Sequence, residues 1–151
     1  MTQIIDGKQI SKELKDELKA QVAAYKEQGV EITLAVIQVG NDKASSVYVG
    51  NKKKACEYIG IDSLSYEIPE ETTEAELLDL IDKLNNDDSI NGILVQLPLP
   101  AHMDENKVID AISPYKDVDG FHLMNVGALS TGQNGFISCT PYGIIQLLKR
   151  S

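Results

Sequence analysis

ITLAVIQV, from Ile32 to Val39, is a β-branched run of strand length that is apolar on both faces. A strand with one wet face alternates polar and apolar residues, so a run apolar on both faces predicts a strand covered on both sides. Ahead of it, Ile10, Leu14, Leu18, Val22 and Tyr25 recur about every four residues. That period predicts one apolar stripe on a helix from about Gly7 to Gln28, which Gly29 ends. Behind the strand come a helical stretch from about Lys43 to Tyr58 and a second strand at Asp62–Ile68. Thr73 and Glu76 then form a capping box that opens a third helix, with Leu77, Leu78, Leu80, Ile81 and Leu84 turned to the core. GILVQL, Gly92 to Leu97, reads as a third apolar strand, closed by Pro98 because proline has no N–H for a ladder.

The order strand, helix, strand, helix, strand predicts an α/β fold: a three-layer domain with a mainly parallel sheet flanked by helices and right-handed crossovers. Beyond Pro100 the pattern gives a short helix around Glu105–Ile112 and the loop KDVDGFH, from Lys116 to His122. A final helix follows, with Thr140 as its cap, Pro141 in its first turn, and Ile144, Ile145, Leu147 and Leu148 as its apolar face. The chain stops at Ser151 directly after that face, which is expected of a boundary inside a longer polypeptide.

With 151 residues, the chain is long enough to bury about 68–70% of its unfolded surface in one domain without covalent staples. Its formal charge of −9 opposes phosphate backbones, so nucleic acid is not expected as a partner. Cys56 and Cys139 form neither a Cys-x-x-Cys pair nor a zinc-ligand pattern, which fits a reducing cytoplasm. MTQIIDGKQISKELK lacks the layout of a secretory signal, and no apolar run reaches membrane-spanning length. No membrane partner is expected. Lys52, Lys53 and Lys54 are a local basic run in this acidic chain; they read either as a solvated helix face or as attraction for a small anion.

Open parallel sheets bind ligands outside the carboxyl ends of their strands. Two segments fall there: VGNDKASSVYVGNK after the first strand, and Gln96 to Pro100 after the third. Tyr48 and Lys52, four apart on a helix, share a face and offer a flat ring beside a proton-carrying group, or merely a half-packed surface pair. Short-chain dehydrogenases use the same Tyr-x-x-x-Lys spacing, but the glycine-rich turn they need after the first strand is missing here, so that reading fails. Gln96 is an amide in a run otherwise fit for full burial; it either caps nearby backbone or points into a polar site. Asp117, Asp119 and His122 resemble a divalent-metal cluster but lack the further carboxylates such a site gathers, so a turn capped by aspartate is favoured and no metal is expected. Cys139 at a helix start suggests a lowered thiol pKa, yet with no partnering histidine it reads as structural or ligand-lining.

Taken in order, VGNDKASSVYVGNKKKACEYIGI, GILVQLPLP, KDVDGFH with the following NVGAL, and CTPYGIIQLL resemble the signature blocks of the bifunctional methylenetetrahydrofolate dehydrogenase/methenyltetrahydrofolate cyclohydrolase family. The resemblance spans nearly the whole chain and implies that residues 1–151 are a folate-binding catalytic domain. It implies that Tyr48 stacks on the pterin, Lys52 is the central catalytic residue, Gln96 tunes Lys52, and Asp119 grips the polar edge of the pterin. Ser45, Pro98 and Pro100 would line the same cleft. By the same resemblance, NADP would be held by a Rossmann domain beyond this chain, and the full-length parent would be a cytoplasmic homodimer making 10-formyltetrahydrofolate for one-carbon metabolism and purine biosynthesis. Two other readings compete: a non-catalytic pteridine-binding module, and the substrate domain of an amino-acid dehydrogenase.

Overall fold

The computed structural model describes residues 4–151; the first three residues of the N-terminal stretch lie outside the described residues. Helix α1 (Gly7–Glu27) starts where the Asp6 side chain accepts the N–H groups of Lys8 and Gln9, and it ends at Gln28 before a left-handed Gly29. Strand β1 (Thr33–Val39) is the centre of a three-stranded, all-parallel sheet, flanked by β2 (Asp62–Ile68) and β3 (Gly92–Val95). Helix α2 (Lys43–Ile59) links β1 to β2, and α3 (Glu74–Asn85) links β2 to β3. The capping box forms as expected, Glu76 N–H donating to Thr73 Oγ1 and Thr73 N–H to the Glu76 carboxylate.

Alternation along β1 sorts its side chains between two layers. Ala35, Ile37 and Val39 meet Ile93, Val95, Leu77, Ile81, Leu84 and Val108 in the main core, under α3 and α4 (Glu105–Ala111). Val36 points the other way and packs with Leu94 and Val49 of α2 in a smaller core. The central strand is therefore covered on both faces, as its two-faced apolar run demands. Helix α1 lies against α2, where Tyr58 donates to the Asp16 carboxylate and the ammonium groups of Lys15 and Lys19 sit over the Tyr58 ring. Ile10 and Val22 of the α1 stripe are buried while Leu18 and Tyr25 stay exposed.

Four other expectations are corrected. Strand β3 stops at Val95, not Leu97; Gln96 N–H still donates to Ile37 O at 2.8 Å, but the chain then turns through the cis Leu97–Pro98 peptide. A helix absent from the sequence-based element order, α5 (Leu123–Thr131), is capped by the His122 ring, whose Nδ1 accepts the Met124 N–H at 3.1 Å. An imidazole cap and an apolar set without a helical period left no signal for it. Helix α6 (Cys139–Lys149) begins two residues earlier than a Thr140 cap requires, with Ser138 at the cap position and no side-chain bond there. The segment before it is pinned, Phe136 N–H to Asn125 Oδ1 at 3.1 Å, so the helix starts where that segment ends; Pro141 does lie in the first turn. Finally, no residue of α6 is buried: Ile144, Ile145 and Leu148 are exposed, and Leu147 is half-buried.

Candidate active site

The β1–α2 connection is short, and Asp42 caps the helix by accepting the Ser45 N–H at 2.8 Å. The Ser45 N–H and then its hydroxyl hold the Asp42 carboxyl below the usual carboxylate range. Ser45 is buried. One turn further, Tyr48 is 61% exposed, a large ring left uncovered by the fold. Lys52, one turn beyond Tyr48 and half-buried, donates from Nζ to Gln96 Oε1 at 2.9 Å.

Gln96 reaches Lys52 because of strand parity. Ile93 and Val95 face the α3 layer and Leu94 faces α2, so Gln96, next on the Leu94 side, meets α2. Its Nε2 donates to Leu97 O at 2.8 Å, which fixes the amide so that Oε1 faces the ammonium. The two roles open to this amide, capping backbone and entering a polar site, are both filled by one side chain.

Asp119 is carried in by the 113–122 loop, which is held to the sheet edge by an isolated bridge between Ile93 and Asp117. Gly92 permits that approach, since a Cβ there would lie 2.6 Å from Val118 Cγ1. Lys116 anchors the loop by donating to the carbonyls of Leu84, Asn85 and Asp87 at 3.0, 2.8 and 2.8 Å. Asp117 and Asp119 have different tasks. Asp117 is 2% exposed and accepts Gly120 N–H, His122 N–H and Asn125 Nδ2, a structural staple within the loop. Asp119 is half-buried and stands beside Cys139, whose Sγ also lies 3.4 Å from Val118 O. Desolvation, and then the Asp119 carboxylate, push the Cys139 thiol up; the lowered value suggested by its helix-start position is overturned. Lys52 acts on the same thiol in the opposite sense, so Asp119, Cys139 and Lys52 share one neighbourhood.

Pro98 and Pro100 flank a depression of about 230 Å³ against Gly40, Asn41, Asp42 and Glu70, at the carboxyl end of the sheet. A wider groove of about 560 Å³ runs between Tyr115, Met124 and Phe136 and contains none of Tyr48, Lys52, Gln96 or Asp119. Among the described residues no group of three His, Cys, Asp or Glu side chains is placed to hold a metal ion, and no helix is long and apolar enough to cross a membrane.

Residues 5–119 match the family model described as tetrahydrofolate dehydrogenase/cyclohydrolase, catalytic domain. The chain belongs to this family. Among its relatives, the bifunctional protein FolD of Lachnoclostridium phytofermentans is 70% identical over all of this chain and 54% of its own length. FolD of Acetivibrio thermocellus is 55% identical over 98% of this chain and 52% of its own. The crystal structure of FolD from Campylobacter jejuni superposes with a TM-score of 0.96 at 50% identity, covering 98% of this chain and 53% of the other. That of the Trypanosoma brucei dehydrogenase-cyclohydrolase, complexed with NADP and an inhibitor, gives 0.93 at 33% identity, covering 99% and 52%. The chain thus spans about half the length of the relatives it matches. Within this tetrahydrofolate dehydrogenase/cyclohydrolase domain, sequence reasoning brought out Lys52 and Gln96, which the fold joins. It missed Asn125, which is buried and links Asp117 to Pro114 and Phe136, and Gln38, an amide buried at 4% exposure in β1. The signal for Gln38 was the one that marked Gln96, a lone amide in an apolar strand.

Proposed function

We propose that the full-length protein oxidises 5,10-methylenetetrahydrofolate to 5,10-methenyltetrahydrofolate with NADP and hydrolyses that product to 10-formyltetrahydrofolate, and that this chain supplies the folate site and the proton-transfer machinery. The observation that carries this reading is the bond from Lys52 Nζ to Gln96 Oε1 beside the open ring of Tyr48 at the carboxyl edge of the sheet. It favours catalysis over a pteridine-binding module, because binding alone has no need of an ammonium held by a neutral amide. Family membership argues against the amino-acid dehydrogenase reading.

Among the described residues, the helix start that follows the central strand does not fit a dinucleotide. A pyrophosphate wants free N–H groups at a helix N-terminus after a strand, and at α2 that place is taken by the Asp42 carboxylate. The cofactor site therefore falls to the remaining half of the full-length protein, consistent with an NADP complex in the T. brucei relative. NADP bound there would supply the hydride acceptor for the first reaction.

In the second reaction water adds to the cationic methenyl carbon, and one C–N bond breaks. Lys52 relays the proton from the attacking water to the departing nitrogen, while Gln96 holds its side chain without adding charge. Tyr48 provides a stacking face for the pterin, and Asp119 accepts from its N–H groups. The resulting formyl donor suits one-carbon metabolism and purine biosynthesis, in a cytoplasmic homodimer.

The test is Lys52→Met in the full-length protein. Methenyl hydrolysis is expected to fall by about 10²–10⁴-fold, the usual worth of a positioned proton-transfer group, while hydride transfer survives in part because it depends mainly on alignment. A hydrolysis rate within a few-fold of wild type would refute the role given to Lys52.

A further inference from the structure

We infer that Gln38 is a positioning residue for the Lys52 chemistry, the second of two amides that fix α2 on the sheet. Ile37 pairs with Val95 across β1 and β3, so one residue further along each strand Gln38 and Gln96 stand side by side. Both side chains reach α2. Gln38 Nε2 donates to Ser46 Oγ at 3.0 Å and to Gly40 O at 3.3 Å, and Ser46 Oγ donates onward to Asp42 O at 3.0 Å. Gln96 Oε1 accepts from Lys52 Nζ at 2.9 Å. Ser46 and Lys52 are separated by about 9 Å along the helix axis at 1.5 Å per residue, and Val49, packed on Val36 and Leu94, lies between them. The helix is thus gripped at a polar, an apolar and a polar point, and Tyr48 falls within the gripped stretch.

Apolar packing is non-directional and leaves a helix free to slide or turn slightly on a sheet, whereas a hydrogen bond fails within a few tenths of an ångström. Gln38 supplies the directional restraint on the first turn, and through the helix it sets where Tyr48 and Lys52 stand. An apolar residue at position 38 would suit burial better, so its amide is explained by the bond it makes rather than by the core it occupies.

This inference rests on the Lys52 mechanism proposed above. In the full-length protein, Gln38→Met keeps the side-chain length and removes the donor, and Ser46→Ala removes the acceptor from the helix surface. Each is expected to lower kcat for methenyltetrahydrofolate hydrolysis, per folded molecule, by about tenfold or more, with KM within about threefold, because a displacement of about 1 Å costs up to about a hundredfold in rate. The double variant is expected to be no slower than the slower single one, since both remove the same bond. An unchanged kcat per folded molecule in both single variants, whatever their melting temperatures, or losses that multiply in the double variant, overturns the inference. Should Gln38→Met fail to fold, Ser46→Ala alone decides it by the same kcat reading. If Lys52→Met leaves hydrolysis intact, the mechanism itself falls; if Lys52→Met is inactive and Ser46→Ala and Gln38→Met are not slowed, only the role of Gln38 falls.

Discussion

Asp117→Ala is expected to be among the most damaging single changes in the chain, although the residue touches neither Tyr48 nor Lys52. The carboxylate is almost fully buried and accepts from Gly120 N–H at 3.1 Å, His122 N–H at 2.9 Å and Asn125 Nδ2 at 2.9 Å. Truncation does not orphan all three donors. Gly120 N–H keeps a longer bond to Asp117 O at 3.3 Å, and Asn125 Nδ2 keeps Pro114 O at 3.0 Å. His122 N–H loses its acceptor outright. One charge-assisted bond lost, at about 2 kcal/mol, and two weakened, at about 0.5–1 kcal/mol each, give roughly 3–4 kcal/mol. For a domain of this size that corresponds to a melting temperature lower by about 10 °C. Thermal and urea unfolding followed by circular dichroism measure it, and Asp117→Asn, which keeps the shape but turns an N–H₂ toward a donor, should fall between Ala and wild type. A melting temperature within about 2 °C of wild type for Asp117→Ala would show that the loop is held by something other than this carboxylate.

Asp119→Ala is the complementary case: stability should change by less than about 0.5 kcal/mol, as for most partly exposed positions, while folate binding to the full-length protein weakens by about 1.5–3 kcal/mol because donors on the pterin lose their acceptor. An unchanged folate affinity by calorimetry would return Asp119 to the status of a turn residue. Cys139, whose thiol is pushed up by burial and by Asp119, should react with iodoacetamide at pH 8 more slowly than a free cysteine, since the thiolate is the nucleophile; Asp119→Asn should speed it, and alkylation faster than the free thiol in the unaltered protein would contradict the geometry. The carboxyls of Asp42, Glu74 and Glu76 are held below their ordinary values, by the Ser45 N–H, by Lys107 and by the Thr73 N–H respectively. Groups depressed in the folded state stabilise it above the unfolded pKa and lose that contribution as pH falls through the folded value, so the urea midpoint should be level from about pH 7 to 5 and drop below about pH 4. A midpoint that stays level to pH 3 would rule these bonds out as contributors.

Much of the fold is legible in the sequence because its cause is local. The capping box at Thr73 and Glu76, the glycine after α1 and the apolar run of β1 each carry their own structural instruction. What was not legible depends on remote partners. Helix α5 has an imidazole cap and apolar residues that stay exposed, so neither period nor burial announced it. The start of α6 follows from Asn125 holding Phe136 and from Gly120, where a Cβ would meet Ser138 N at 2.7 Å, and neither contact has a local signature.

The same division runs through the site. Residue identity and order were enough to reach the family and to nominate Tyr48, Lys52, Gln96 and Asp119, since an aromatic ring, an amine, an amide and a carboxylate are chemical facts of the chain. Which of them meet was decided by the tertiary structure. Strand parity and the β1–β3 register turn Gln96 toward α2, and Gln38 with it. Asp117 and Asp119, two residues apart in the seven-residue KDVDGFH loop, were equivalent by type and became a buried staple and a half-buried carboxylate beside Cys139. The reason is physical: a side chain's chemistry travels with its residue, whereas its partners, its desolvation and its direction arise only when distant segments pack against it.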